Sequence, residues 1–352
     1  MAGKRVGAQT IELGTRPRIA AWSAIVGPKE GEGPLGGCFD RVESDDMLGQ
    51  KSFEKAECKL FESCVRLTME KAKVLPKDVH ALLGGDLLNQ IISAGFAARQ
   101  LAIPFYGLYG ACSTMAESLA IGSMLVDGQH CARVLCATSS HFSTAERQYR
   151  TPLEMGTQRT PTAQWTVTGA GSALVCEAAA AQSARVCVTH VTTGKVVDLG
   201  VKDANNMGAA MAPAATDTLL AHFRDTGRTD KDYDLVVSGD LGSLGRELML
   251  ELLRQEKHPI SPERSMDCGM QIYAPEQDVH AGGSGCGCSA SVLCGKLLGE
   301  IASGQLHRIL FMATGALLSP TTTMQGESIP SIAQAVVLEH VGDGRKGGTN
   351  AC

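Results

Sequence analysis

CSTMAESLAIGSMLVDGQHCARVLCAT, residues 112–138, aligns without gaps with CSASVLCGKLLGEIASGQLHRILFMAT, residues 288–314, at a constant offset of 176. Each stretch reads as a helix opened and closed by glycine, then Gly-Gln, then an apolar strand. Two further pairs occur in the same order. Val79–Leu88 (VHALLGGDLL) answers Tyr233–Gly242 (YDLVVSGDLG), so that Asp86 matches Asp240. Ala173–Glu177 (ALVCE) answers Ala335–Glu339 (AVVLE). Three matched pairs in one order mark an internal duplication, which settles the architecture before any single element does.

A helix is expected before each Gly-Asp-Leu strand. Phe53–Val74 places Ala56, Leu60, Cys64 and Leu67 at helical spacing. Its counterpart is expected over Pro213–Thr226, with Leu219, Leu220 and Phe223 on one side and Gly227 as the C-terminal cap. Each half then reads strand, helix, strand, Gly-rich turn, helix, strand, strand. That alternation predicts an α/β fold with a mostly parallel sheet. Two halves about a pseudo-twofold axis would give an α/β/α/β/α layered body, with the helices after Gly110 and Gly287 meeting near the middle. The expected boundaries are 1–182 for the first half, 183–342 for the second and 343–352 for a flexible tail.

Composition narrows the function. The chain has 352 residues, 44% hydrophobic and 20% charged, enough for two sizeable cores. Its formal net charge of −5, with no basic stripe carrying aromatics, argues against nucleic-acid binding. No run of about 18 apolar residues exists, and the N-terminus lacks a signal-peptide pattern, so neither a transmembrane helix nor export is expected. Thirteen cysteines, scattered through apolar segments, read as reduced thiols in a cytosol-like compartment.

Chemistry centres on Tyr106–Thr114, YGLYGACST. A strand enters, glycine turns it, and Cys112 opens a helix. The partial positive charge of a helix N-terminus favours thiolate, which is how a cysteine nucleophile is activated. A small cysteine packing a helix start would look the same in sequence. The run Gly110-Ala111-Cys112-Ser113, the duplication, and Val167–Val175 (VTGAGSALV) resemble thiolases and β-ketoacyl synthase III enzymes. The resemblance covers nearly the whole chain. It implies the thiolase fold, and a cysteine that is acylated and then condensed with a second acyl unit.

The departures from those enzymes bear on activity. Condensing enzymes place a His–Asn or His–His pair from the second half beside the cysteine. The loop expected to supply the first partner reads SGDLGSLG, from Ser238, and has neither residue. The next, Gly282–Ala290 (GGSGCGCSA), has neither as well. A second cysteine is also missing around Ala313–Gly315. Cys112 is therefore read as stranded, and the chain as a pseudo-enzyme that binds in the old cavity. His280 is the one histidine near the second loop and a candidate stand-in, or else a turn histidine. Cys286, Cys288 and His280 lack a matching second pair, so no metal site is expected. Asp86 and Asp240, at twin positions, are read as structural or interdomain carboxylates rather than catalytic ones.

Thr160–Ala173 (TPTAQWTVTGAGSA) and the paired Gly-Asp-Leu motifs also resemble a narrower sporulation family of endospore-forming bacteria. That resemblance implies binding of pyridine-2,6-dicarboxylic acid (dipicolinic acid), as such or as its calcium complex. It also implies action with integral membrane proteins of a spore dipicolinate channel, in uptake during sporulation and release in germination. The expected location is the forespore or spore, peripheral at the inner spore membrane. No cofactor is expected, and a homodimer is. The loops are compatible with a flat dianion, since Gly-rich turns at helix starts aim backbone N–H groups at one cavity. The candidate ligand-binding residues are Gly110, Cys112, Thr162, Gln164, Trp165, His280, Gly283, Ser284 and Gly285, with Trp165 offered as a stacking partner for the pyridine ring. The segment Thr160–Trp165 is equally well a dimer-interface loop. The alternative function is an acyl-CoA condensing enzyme using Cys112.

Overall fold

The computed structural model describes residues 3–149 and 159–342; the expected tail at 343–352 lies outside them. Ten strands make the main path of one continuous sheet, five from each half; three short strands flank it and two more pair apart. The first half supplies β1 (Arg18–Val26), β2 (Ala81–Gly85), β3 (Phe105–Gly107), β4 (Arg133–Ser140) and β5 (Gly169–Cys176). The second supplies β6 (Val186–Thr193), β7 (Leu235–Ser238), β8 (Ser265–Asp267), β9 (Arg308–Ala316) and β10 (Ser331–His340). The spatial order is β1-β5-β4-β2-β3 in one and β6-β10-β9-β7-β8 in the other. The same order, with the same parallel and antiparallel neighbours, is the duplication written in three dimensions. The two five-stranded parts, the first and second sheets, join edge to edge where Val186 and Cys187 pair with Ile19 and Arg18.

The helices complete five layers. α1 (Phe53–Ala72) and α2 (Ile92–Leu101) cover the outer face of the first sheet. α4 (Met207–Thr226) and α5 (Gly242–Gln255) cover that of the second. Between the sheets lie α3 (Thr114–Asp127) and α6 (Cys286–Val292), the latter running on through a wide turn at Leu293–Leu297. Both faces of the central strands are thus covered, and β4 and β9 are apolar runs buried almost end to end. Met115, Leu119, Val292, Leu293, Val175 and Leu338 share the core between the sheets. Among the described residues, no helix is long and apolar enough to cross a membrane.

Three expectations need correction. Each half gives the main sheet path five strands rather than four, because a helix and a short strand (α2–β3, α5–β8) intervene before the Gly-rich turn. Those strands are three residues long, too short to show a period. The sheets are mixed rather than mostly parallel, since β5 and β10 return antiparallel to their neighbours on both sides. α4 begins at Met207, not Pro213. Asn206 caps it by accepting from Ala209 N at 3.3 Å, and the buried face Ala210, Met211, Ala214 outweighs the proline inside the helix.

Glycine decides how close α6 comes to the first sheet. A Cβ on Gly171 would stand 2.4 Å from the Ala290 carbonyl oxygen, and one on Gly287 would stand 2.4 Å from that of Gly169. Backbone meets backbone there, so the GAG run of β5 is a packing requirement. Gly171→Ala should force α6 away from β5 and cost about 1–3 kcal/mol, as overpacking does. Urea unfolding should show a lower midpoint at an unchanged slope.

Candidate functional site

The duplication brings the ends of β2, β7 and the starts of α3 and α6 to one place. Ala111 takes a left-handed φ of 50°, and Cys112 follows in a single 3-10 turn before α3. From the other half, β7 ends at Ser238 and the chain passes through Gly239 to Asp240. Gly285, at φ 100°, opens α6. The Cys112 thiol and the Asp240 carboxyl lie close enough for each to shift the other's titration. The loop expected to carry a histidine instead places a carboxyl near the sulfur. Sequence reading named Asp240 and gave it a structural role, but it had no means of placing it against Cys112.

Asp240 is fully buried and anchored from several sides. Its Oδ2 accepts from Gly285 N at 3.0 Å and from Ser284 Oγ at 3.4 Å. Its Oδ1 accepts from Thr314 Oγ1 at 3.1 Å, where a thiolase would carry its second cysteine. Burial pushes its carboxyl up to about 7. The twin Asp86 is spent on its own turn, accepting from Leu88 N and Ala94 N at 2.7 Å.

The helix start does not win at Cys112. A dipole at a helix end is worth about 0.3–1 kcal/mol, less than one pKa unit. Burial moves a group by up to about 3–5 units. Burial, and then the neighbouring Asp240 charge, push the Cys112 thiol well above its ordinary range. The site holds a neutral thiol.

Above the thiol lies a cavity of about 70 Å³. Leu87, Met207, Met211 and Leu318 give it an apolar wall, and Thr166, Ser284, Tyr149 and Glu146 bring polar groups to it. Glu146 and Tyr149 sit three residues apart on the helix Phe142–Tyr149, which follows β4 directly. Sequence reading missed them; their helical spacing was the available signal. Among the described residues lining the cavity, none is basic.

The expected ligand residues divide into three groups. Cys112 and Ser284 line the cavity, and Gly110 lies beside it, its carbonyl accepting from Ser113 N and Oγ. Gly283, Gly285 and Gln164 stand one layer behind. Gln164 Nε2 donates to the carbonyls of Asp240 at 2.7 Å and Gly283 at 3.1 Å, clamping the two loops together. The backbone donors expected from the second Gly-rich turn are already engaged, Gly285 N by Asp240 and Gly287 N by Ser140 Oγ.

Thr162, Trp165 and His280 lie away from the cavity. Thr162 Oγ1 donates to the Asn205 carbonyl at 3.0 Å. Trp165 stacks on Phe142 at 3.8 Å, and Lys29 and Arg159 lie over its ring. Three neighbours thus crowd the ring, and Trp165 does not line the cavity. His280 is on an exposed turn 3.6 Å from Asp278.

Comparison with known proteins agrees with this geometry. A family model described as stage V sporulation protein AD matches residues 7–339. The stage V sporulation protein AD of Bacillus subtilis (strain 168) is 46% identical over 316 residues, covering 90% of this chain and 92% of that relative. Among solved structures, 3-oxoacyl-[acyl-carrier-protein] synthase III from Aquifex aeolicus VF5 superposes with a TM-score of 0.57 at 13% identity, over 92% of this chain and 99% of the other. A cerulenin-bound variant of OleA from Xanthomonas campestris gives 0.62 at 14% identity, over 92% and 96%. These structures share the thiolase fold with this chain.

Asp240→Asn tests the electrostatics. Removing the charge should lower the Cys112 pKa, leaving it above the ordinary range because burial remains. Alkylation of Cys112 by iodoacetamide, followed by mass, should speed up several-fold at pH 8. The stability that Asp240 contributes should be full below about pH 4 and lost as pH rises through about 7, because its folded pKa is the higher one. The gap in stability between wild type and Asp240→Asn should narrow over that window.

Proposed function

This chain belongs to the stage V sporulation protein AD family, and from that membership and its site we propose a sporulation protein that binds dipicolinic acid and performs no acyl transfer. The observation that carries the second half of this reading is the Cys112–Asp240 pair. Acyl transfer needs a thiolate, or a base able to take the thiol proton as the bond forms. A carboxyl at about 7 beside a thiol held far higher leaves the proton on sulfur. Its negative charge opposes the thiolate that a cationic histidine would stabilise.

The ligand identity rests on the family resemblance, and the cavity shapes how the ligand would be held. Hydroxyls of Thr166, Ser284 and Tyr149 and the Cys112 thiol are the donors at hand. A dianion buried among them, with no basic side chain in the described lining, would be heavily penalised. The ligand then enters with its charge answered, as the protonated acid or as its calcium chelate. In this reading the protein passes the ligand to integral membrane proteins of a spore dipicolinate channel, peripheral to the inner spore membrane. Two copies pair through the bare edge of β3, where Tyr106 and Tyr109 are 59% and 49% exposed, since an apolar edge strand left open invites pairing.

Isothermal titration with dipicolinate, with and without calcium, is the test. Wild type should bind one ligand per chain. Cys112→Asp should weaken binding at least tenfold by setting a charge at the cavity floor, and Cys112→Ser should be tolerated. Equal affinity for Cys112→Asp and wild type would put the ligand elsewhere. Incubation with acetyl-CoA should leave the mass of Cys112 unchanged; an acetyl adduct absent from Cys112→Ala would establish the condensing enzyme instead.

A further inference from the structure

The duplication allows the outer helices to be compared residue for residue. α1 (Phe53–Ala72) and α4 (Met207–Thr226) are both 20 residues long, and Ser52 and Asn206 cap them, 154 positions apart. Asp86 and Asp240 keep that spacing. The faces that meet the sheets agree as well. Leu60, Cys64 and Thr68 are buried on α1, and Ala214, Thr218 and His222 are buried at the matching places on α4.

One stripe does not agree. On α4, Gly208, Ala212 and Thr216 are buried too, each one turn after the last. α5 closes over that stripe, so tightly that a Cβ on Gly245 would stand 2.7 Å from Gly208 Cα. The matching stripe on α1 is Glu54, Cys58 and Glu62, and it lines an open groove of about 540 Å³. Glycine on glycine lets two helix backbones touch; glutamate and cysteine hold α1 and α2 apart along that line. The other bank is α2, where Ile92 and Phe96 are 40% and 43% exposed, one turn apart. Past Ile92 the groove runs into a second depression of about 320 Å³, walled by Arg147 and Gln148. Those two lie on the helix whose Glu146 and Tyr149 line the cavity above Cys112.

A face that packs against a helix in one half is thus left open in the other, and charge says what fits it. Glu54 is bonded to Arg147, and Glu62 is answered by Arg66 at 2.7 Å and by Lys59 at 3.7 Å. Lys55 and Arg99, both exposed, enter no ion pair among the described residues, and Arg99 lies over the Phe96 ring at 4.6 Å. The surplus charge beside the apolar ridge is therefore positive, although the whole chain carries −5. Two helices wall the groove, so a partner binds there by its side chains and not by extending a sheet. We propose that the groove between α1 and α2 is a docking site for an acidic amphipathic helix of a partner protein. Its apolar side lies on Ile92 and Phe96, and its carboxylates face Lys55 and Arg99. The stretch Ile92–Gln100 is about 12 Å long, room for about two turns.

The test uses the full chain and two fluorescein-labelled stapled helical peptides of about 14 residues. Both carry leucine along one face; the other face is glutamate in the first and lysine in the second. Fluorescence anisotropy should show saturable binding of the glutamate peptide, at least tenfold tighter than the lysine peptide and weaker as salt rises from about 0.05 to 0.5 M. Phe96→Ala should weaken it about tenfold. Lys55→Glu combined with Arg99→Glu should reverse the preference between the peptides. All three positions are exposed, so the melting temperature should hold within about 2 °C. No saturable binding at about 1 mM glutamate peptide, equal binding of the two peptides, or unchanged binding by Phe96→Ala would overturn the proposal. Self-association of the chain that Phe96→Ala abolishes would give the groove to a second copy instead. Pelleting with phosphatidylglycerol vesicles that Phe96→Ala abolishes would give it to a lipid surface. None of these readouts involves dipicolinate, so they stand apart from whether it binds above Cys112.

Discussion

A single buried carboxyl ties the two halves of this protein together at the point where a condensing enzyme would do chemistry. Asp240 lies two residues beyond the second-half strand β7, yet it sits near Cys112 of the first half and accepts from Gly285 and Ser284 at the start of α6 and from Thr314 on β9. Gln164 closes the arrangement by gripping the Asp240 carbonyl itself. Each contact satisfies a group that burial would otherwise leave costly. Together they set the spacing between the central helices and the electrostatics of the thiol.

The interface between the halves repeats this pattern with weaker groups. Thr138 Oγ1 donates to the Cys286 carbonyl at 3.1 Å, as its twin Thr314 donates to Asp240. Ser140 Oγ accepts from Gly287 N and donates to the Val167 carbonyl. Glycine permits these approaches, because the backbones at 169–171 and 287–290 come within reach of each other only without side chains. The cavity is what remains above this dense polar layer. Its floor is the buried Cys112 thiol, and its described wall is apolar with a few hydroxyls.

The duplication was legible because it leaves two copies of each strong signal. The Gly-Asp-Leu strands, the glycine-bounded helices and the 176-residue offset are local patterns, and local patterns survive in one dimension. They determined the α/β class, the two halves, the two central helices, and the place of Cys112 just before one of them; the second opens at Gly285, two residues before the expected Gly287. The three-residue strands β3 and β8 were not legible, being shorter than any period.

Partnership was decided only by the tertiary structure. Asp240 and Cys112 are 128 positions apart in the chain, and nothing in either neighbourhood says that they touch. Trp165 looked like a ligand platform because an aromatic in a polar segment often is one. Its ring is instead consumed by Phe142, Lys29 and Arg159, which come from distant segments. His280 looked close in sequence, but a turn carries it outward to Asp278. Sequence fixes which groups are available and which backbone can bend. Which group answers which, and whether a thiol ends as a nucleophile or a neutral floor, depends on burial and on charges brought in from elsewhere. Both arise only when the two halves close on each other.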